Sequence, residues 1–110
     1  MVDSKRETFK PTYSLDDIRF AAQQSKFQYA GRTVYKNIRN LSYTGGDVKQ
    51  CISQLTSKNF KKCLHYENAI YDVYTCEYQK HNEAPIDLIY MKLRLLKSGE
   101  IQLDIGSFHT

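Results

Sequence analysis

The C-terminal half of the chain alternates between hydrophobic and polar residues with period two, which is typical of β-strands. Tight turns separate the alternating segments at Glu67-Asn68 and at residues 97–100, and a longer loop lies at residues 81–85. Short connections of this kind favour antiparallel pairing of neighbouring strands. The pattern therefore predicts a four-stranded antiparallel meander with strands at residues 60–66, 69–78, 85–96 and 101–108.

The third predicted strand has two different faces. One face is apolar and is expected to point into the core: Ile89, Met91, Leu93 and Leu95. The alternate positions form the other face: Leu88, Tyr90, Lys92 and Arg94. A solvated face has no need of an aromatic ring beside two cations, but a face that binds phosphate would use both.

The N-terminal half has the spacing of amphipathic helices. Ser14 is a predicted N-cap for a first helix that ends near residue 25, and a second short helix is predicted to begin near Thr33. Residues 44–47 are predicted to be a loop that ends in a cap. The third helix follows, with apolar residues at the spacing i, i+3, i+4 and i+7: Val48, Cys51, Ile52 and Leu55.

Helices that precede strands without alternation are typical of an α+β fold. We therefore expect N-terminal helices packed on one face of a C-terminal four-stranded antiparallel meander, with the other face free to bind a partner. The chain has 110 residues, which fits one domain, expected at residues 13–110. Residues 1–12 are polar and charged, and we expect them to form a flexible tail.

Positive charge is concentrated in the middle of the chain. The net charge is +4, and residues 32–62 contain seven cations against Asp47 as their one acidic residue. Segregated positive charge is typical of a protein that binds a polyanion, usually a nucleic acid. Clustered cations on a solvated helix face give the same pattern, so charge alone leaves both interpretations open.

The composition indicates in which compartment the protein works and which kinds of site it lacks. Three cysteines without paired spacing fit reduced thiols in a cytoplasm better than a disulfide framework. No apolar run approaches the roughly 20 residues of a membrane span, and no apolar segment typical of a signal peptide is present. The three histidines, His65, His81 and His109, lack the spacing of zinc ligands. We therefore expect a cytoplasmic protein without membrane contact, metal or cofactor.

RNA can be cleaved without a metal when a 2′-hydroxyl attacks the adjacent phosphate. The protein then needs a base, cations that stabilise the phosphorane, and an acid for the leaving oxygen. Tyrosine rings also provide platforms on which unpaired bases stack. The predicted sheet carries side chains of these types on four strands: Lys62, Tyr71, Tyr90, Lys92, Arg94 and His109.

Four stretches of the sequence match a known family in order and spacing. They are residues 13–18 (YSLDDI), residues 47–62 ending in NFKK, residues 72–74 (DVY), and residues 90–93 (YMKL) with residues 107–108 (SF). In these stretches the chain resembles the MqsR family of toxins, which are mRNA interferases related to RelE in fold. The resemblance covers roughly residues 13–109.

The resemblance implies a ribosome-independent endoribonuclease that cuts mRNA, often at GCU-like sites, and halts translation. It also implies a cognate antitoxin, commonly with a zinc-bearing N-terminal domain and a helix-turn-helix DNA-binding domain. Family active-site positions match Lys62 and Tyr90. At two further positions the family has a glutamine and a lysine, where this chain has Tyr71 and His109.

The substitution at His109 suits the chemistry, because imidazole titrates near pH 6.5 in general and can exchange a proton at neutral pH where lysine mostly cannot. We accordingly predict one site with catalytic and RNA-binding members. The catalytic candidates are Lys62, Tyr90, His109 and Tyr71. The RNA-binding candidates are Lys61, Lys92 and Arg94.

Two other functions fit the same sequence. A non-catalytic RNA- or protein-binding module would predict salt-sensitive RNA binding without a cleaved product. A DNA-binding regulator could use the third helix, but that helix carries Lys49 as its one cation and has no recognisable helix-turn-helix partner. The sequence therefore favours the ribonuclease and leaves the binding module as the main alternative.

Overall fold

The structure is a computed structural model that describes residues 6–110, apart from the side chain of Ser98. In chain order the elements are β1 (Arg6–Thr8), α1 (Leu15–Gln23), β2 (Phe27–Tyr29), α2 (Arg32–Asn40), α3 (Gly45–Ser53), a short 3-10 helix (Ser57–Asn59), β3 (Phe60–His65), β4 (Ile70–Tyr78), β5 (Asp87–Ser98) and β6 (Glu100–His109).

The strands form one mixed sheet in the order β1-β3-β4-β5-β6-β2. The strands β3 to β6 pair antiparallel, β1 adds antiparallel to β3, and β2 adds parallel to β6. The predicted α+β class is confirmed. The prediction of a four-stranded, purely antiparallel sheet that follows all the helices is wrong. The two added strands have three residues each, which is too short to show a period-two pattern.

The four predicted strands are present as β3 to β6, and their ends lie within two residues of the predicted ends. The two faces of β5 are also as predicted, because Ile89, Met91 and Leu93 are fully buried and Leu95 is nearly so. Leu88, on the opposite face, is 63% exposed. The alternation therefore fixes which side of the sheet is open.

The tail predicted at residues 1–12 is described by the structure only from residue 6 onward. Its residues 1–5 lie outside the described residues, whereas Arg6–Thr8 form β1 and pair with β3. Farther along, the backbone N–H groups of Thr12 and Tyr13 donate to the fully buried carboxylate of Asp72 at 2.9–3.0 Å. This contact fixes the segment that enters α1.

The three helices cover one face of the sheet and enclose the main core with it. Ser14 caps α1 as predicted. The cap of α3 is Thr44 rather than the end of the 44–47 segment, because Asp47 lies in the first turn of the helix and closes a reciprocal capping box with Thr44. Cys51 is fully buried, as predicted, with its Sγ 3.3 Å from that of Cys76.

The opposite face of the sheet carries no helix, and we call it the open face. Two apolar side chains on it, Leu64 and Val73, are still almost inaccessible, with 1% and 0% of their surface exposed. The open face therefore has buried apolar residues beneath its surface. Within residues 6–110, no helix is long and apolar enough to cross a membrane.

Candidate active site

Strand register determines which side chains meet on the open face. Lys62, Val73, Lys92 and Ser107 lie opposite one another across β3, β4, β5 and β6. Two residues along the strands, a second row contains Thr75, Tyr90 and His109. Rows on one face are about 7 Å apart, which lets long side chains from both rows reach a common ligand.

Tyr90 and His109 form a stacked pair of side chains that can both exchange protons. They are direct partners across β5 and β6, and their rings stack with centroids 5.1 Å apart and an angle of 21° between the planes. The His109 Nδ1 lies 3.1 Å from the Thr110 backbone oxygen. Because that oxygen can only accept, Nδ1 carries the hydrogen, and in the neutral ring Nε2 is left as a proton acceptor.

Lys62 is held by an ion pair. Its Nζ donates to Oε1 of Glu7 on β1 at 2.6 Å, and this hydrogen bond raises the pKa of Lys62 above its usual value. The nearby phenols of Tyr90 and Tyr66 raise the pKa further. Lys62 on β3 and His109 on β6 are separated by three inter-strand spacings, about 14 Å across the sheet. The two side chains can therefore act on one ligand only from opposite sides of it.

Lys92 lies between those two positions. Its Nζ donates to the hydroxyl of Tyr66 at 2.8 Å. Within the described part of the chain, Lys92 has no ion pair with a carboxylate. Of the predicted cations in these two rows, Lys92 is thus the one whose charge is not neutralised by an acid.

A second cluster lies one row farther along the open face. The buried Asp104 carboxylate accepts from Tyr71 at 3.0 Å, from Arg94 at 2.9 Å and from Gln28 at 3.2 Å. Burial, and then the charge of Asp104, raise the pKa of Tyr71 to about 12. The Arg94 guanidinium also lies over the Tyr71 ring, 5.1 Å from its centroid. Tyr71 and Arg94 therefore belong to one hydrogen-bonded network centred on Asp104.

Gly106 is required by that network. A Cβ at this position would lie 2.6 Å from the Tyr71 ring, closer than carbon atoms approach without displacement. The missing side chain lets the ring lie flat against β6. The position of the Tyr71 hydroxyl therefore depends on a glycine on the neighbouring strand.

Lys61 belongs to the other end of the open face. It lines a cleft of about 460 Å³ together with Lys58, Thr75 and Leu88. Thr75 is the cross-strand partner of Tyr90, so this cleft adjoins the Tyr90–His109 pair.

The structure thus brings four predicted residues together in two adjacent rows: Lys62, Tyr90, Lys92 and His109. It places Tyr71 and Arg94 in a neighbouring network and Lys61 in the adjoining cleft. Sequence reasoning missed Glu7, which lies in the predicted tail, and Asp104. It also missed Tyr66 as the hydrogen-bond acceptor of Lys92. Among residues 6–110, no three metal-ligating side chains form a group that could hold an ion.

The family model described as "Motility quorum-sensing regulator, toxin of MqsA" matches residues 10–110, nearly the whole chain. A comparison with curated proteins found no match.

Proposed function

The chain belongs to the MqsR toxin family, the toxins of toxin–antitoxin systems, and on that premise we propose that it is a metal-independent endoribonuclease that cleaves mRNA and stops translation. The observation that carries the proposal is the stacked Tyr90–His109 pair, with Nε2 of His109 available as a base. An antitoxin partner follows from the family. We infer, from the resemblance of the sequence alone, that this partner has zinc-binding and helix-turn-helix domains.

The proton transfers are assigned to the stacked pair. Nε2 of His109 takes the proton from the 2′-hydroxyl as that oxygen attacks phosphorus, and the Tyr90 hydroxyl gives a proton to the departing 5′-oxygen. The bond from phosphorus to the 5′-oxygen breaks as the bond to the 2′-oxygen forms. The products are a 2′,3′-cyclic phosphate and a 5′-hydroxyl end.

The cations stabilise the negative charge that develops on the phosphorane oxygens. Lys92 supplies the nearest charge that no acid neutralises, and Lys62 supplies a second after the substrate phosphate competes with Glu7 for its ammonium group. Tyr71 and Arg94 hold the far edge of the site through Asp104. Lys61 contacts the RNA from the adjoining cleft.

A non-catalytic RNA-binding module is the second candidate. The contact that favours it is the ion pair of Lys62 with Glu7, because a lysine already paired with an acid stabilises a phosphorane less well. This alternative predicts RNA binding with the same salt dependence but no cleaved product.

The test is cleavage of a mixed-sequence RNA by the purified protein in EDTA. His109→Ala and Tyr90→Phe should each lower the cleavage rate by about 10²-fold or more, because each removes a proton-transfer group. The ends should be mapped to identify the cyclic phosphate.

Lys10→Ala, at an exposed residue outside the helices and strands, serves as the control and should cleave like the wild type. Circular dichroism should show that all variants are folded. Wild-type rates in both His109→Ala and Tyr90→Phe would refute the assignment. A folded wild-type protein that binds RNA without cleaving it would favour the binding module.

A further inference from the structure

The exposed side of α2 is a basic surface with an aromatic ring at its centre. Val34 and Ile38 anchor the helix to the core, so the opposite side of the helix faces outward. These outward residues line a shallow depression of about 570 Å³, and together we call them the α2 basic face: Arg32, Tyr35, Lys36, Arg39 and Asn40.

The cations of this face lie in a stretch of sequence without acidic residues. No acidic residue occurs between Asp17 and Asp47 in the sequence. Within residues 6–110, none of the three cations of the face has an ion-pair partner. Lys62 and Arg94 on the open face, by contrast, each have a carboxylate partner. Uncompensated cations at i, i+4 and i+7 on one helix face attract an anion with regularly spaced charges.

The ring on the face is available for stacking. Tyr35 is 53% exposed, and the Arg39 guanidinium lies over its ring, 5.8 Å from the centroid. The ring of Tyr29 on β2 follows at 6.2 Å. Exposed aromatic rings between cations are the usual platform for the bases of a single-stranded nucleic acid.

The α2 basic face begins at the β2 edge of the sheet, and the candidate active site lies on the open face of the same sheet. Tyr29 pairs with Ile105 at the end of β2, and the backbone N–H of Ala30 donates to the Ile105 carbonyl at 2.9 Å. The chain then enters α2, while β6 continues for four more residues to His109, about 13 Å along the strand. A strand that leaves His109 across the β2 edge of the sheet therefore meets α2 next.

We propose that the α2 basic face is a second RNA-binding surface. It binds the part of a single-stranded RNA that lies away from the scissile phosphate, through the phosphates of the RNA and one stacked base. This inference rests on the proposed ribonuclease function and extends it. Single-stranded RNA is favoured over a protein partner because cations and a ring alternate along the face, and its outward-facing positions carry no large aliphatic side chain.

The test measures the salt dependence of binding to a 2′-O-methyl oligonucleotide, which lacks the attacking hydroxyl and is not cleaved. The variant replaces all three cations (Arg32→Gln, Lys36→Gln, Arg39→Gln). On a single strand, each phosphate contact contributes about 0.7 to the slope of the logarithm of the binding constant against the logarithm of the salt concentration. Removing three contacts should therefore reduce the magnitude of this slope by about 2. Tyr35→Ala should weaken binding at every salt concentration.

The control variant changes the net charge equally at three sites away from α2 (Lys10→Gln, Lys49→Gln, Lys97→Gln). It should keep the wild-type slope. Equal slopes in the two triple variants would overturn the proposal, because net charge rather than a surface would then govern binding. Cleavage of a dinucleotide, which is too short to reach α2, should be the same in the wild type and in both triple variants.

The outcomes separate this inference from the proposed function. An oligonucleotide that binds through α2 without any RNA being cleaved would support the surface and refute the ribonuclease. Cleavage that depends on His109, with a slope unaffected by the α2 substitutions, would support the ribonuclease and refute the surface. An α2 variant that binds RNA normally but no longer binds an antitoxin of this family would assign the face to protein binding and overturn the inference.

Discussion

At the residue scale, the DVY stretch that carries part of the family resemblance has a structural role. Asp72 accepts hydrogen bonds from two backbone amides before α1, Val73 lies buried beneath the open face, and Tyr74 packs in the core against Phe60. A fully buried carboxylate would be costly without these donors. The stretch therefore joins the N-terminal segment to the sheet.

Asp72→Ala should lower the free energy of unfolding by about 1–3 kcal/mol, because it removes the acceptor of the hydrogen bonds from the Thr12 and Tyr13 amides. Urea unfolding measures the change. Asp16→Ala is the matched control, since that carboxylate is 86% exposed and its ion pair with Arg19 should contribute little. Equal effects of the two substitutions would contradict the role given to Asp72.

Part of the candidate site can be predicted residue by residue, and part of it cannot. Alternation along β5 is enough to predict that Tyr90 and Lys92 share the open face. The ion pair between Glu7 and Lys62 cannot be predicted, because the residues are 55 positions apart and Glu7 lies in a strand of three residues. Pairing of so short a strand is determined by the neighbouring sheet edge rather than by its own sequence.

At the scale of single elements, α3 is fixed to the sheet through its first turn. Burial alone raises the pKa of the Asp47 carboxyl, but hydrogen bonds from Thr44 and Tyr78 outweigh burial and hold the pKa below its ordinary value. The same carboxylate thus completes the capping box and connects the helix to β4. The helix itself is predictable from its apolar spacing, whereas the contact with β4 depends on tertiary packing.

The lowered pKa gives α3 a defined pH dependence. A carboxyl whose pKa is lower in the folded protein stabilises it above about pH 4, the pKa of an unfolded aspartate, and loses this effect as the pH falls through the folded value. Asp47→Asn should therefore cost about 1 kcal/mol at pH 7 and less below pH 4. Urea unfolding of both proteins across this range tests it, and a pH-independent difference would contradict it.

At the scale of the whole molecule, the sheet has long strands at its centre and short strands at its edges. The central strands β4 and β5 are long and have neighbours on both sides, whereas β1 and β2 are three-residue strands at the two edges. Periodicity predicts the long strands, since they carry several alternating residues. It cannot predict β2, whose parallel pairing with β6 is determined by where α1 ends and α2 begins.

Amide hydrogen exchange should follow this order. Amides in β4 and β5 should exchange most slowly, near the rate of global unfolding, and those in β1 and β2 should exchange faster through local opening. Mass spectrometry of peptides from the partly exchanged protein measures these rates. Protection of β2 equal to that of β5 would contradict the sheet order.

The close approach of Gly106 to Tyr71 also constrains how the site can evolve. Any side chain larger than hydrogen at position 106 would push the Tyr71 ring away from Asp104, whereas a glutamine at position 71 would leave that space empty. A lineage must therefore acquire the glycine before, or together with, the tyrosine. Related sequences with a tyrosine at the position of Tyr71 should therefore have glycine at the position of Gly106, whereas sequences with a glutamine at the first position should accept larger residues at the second.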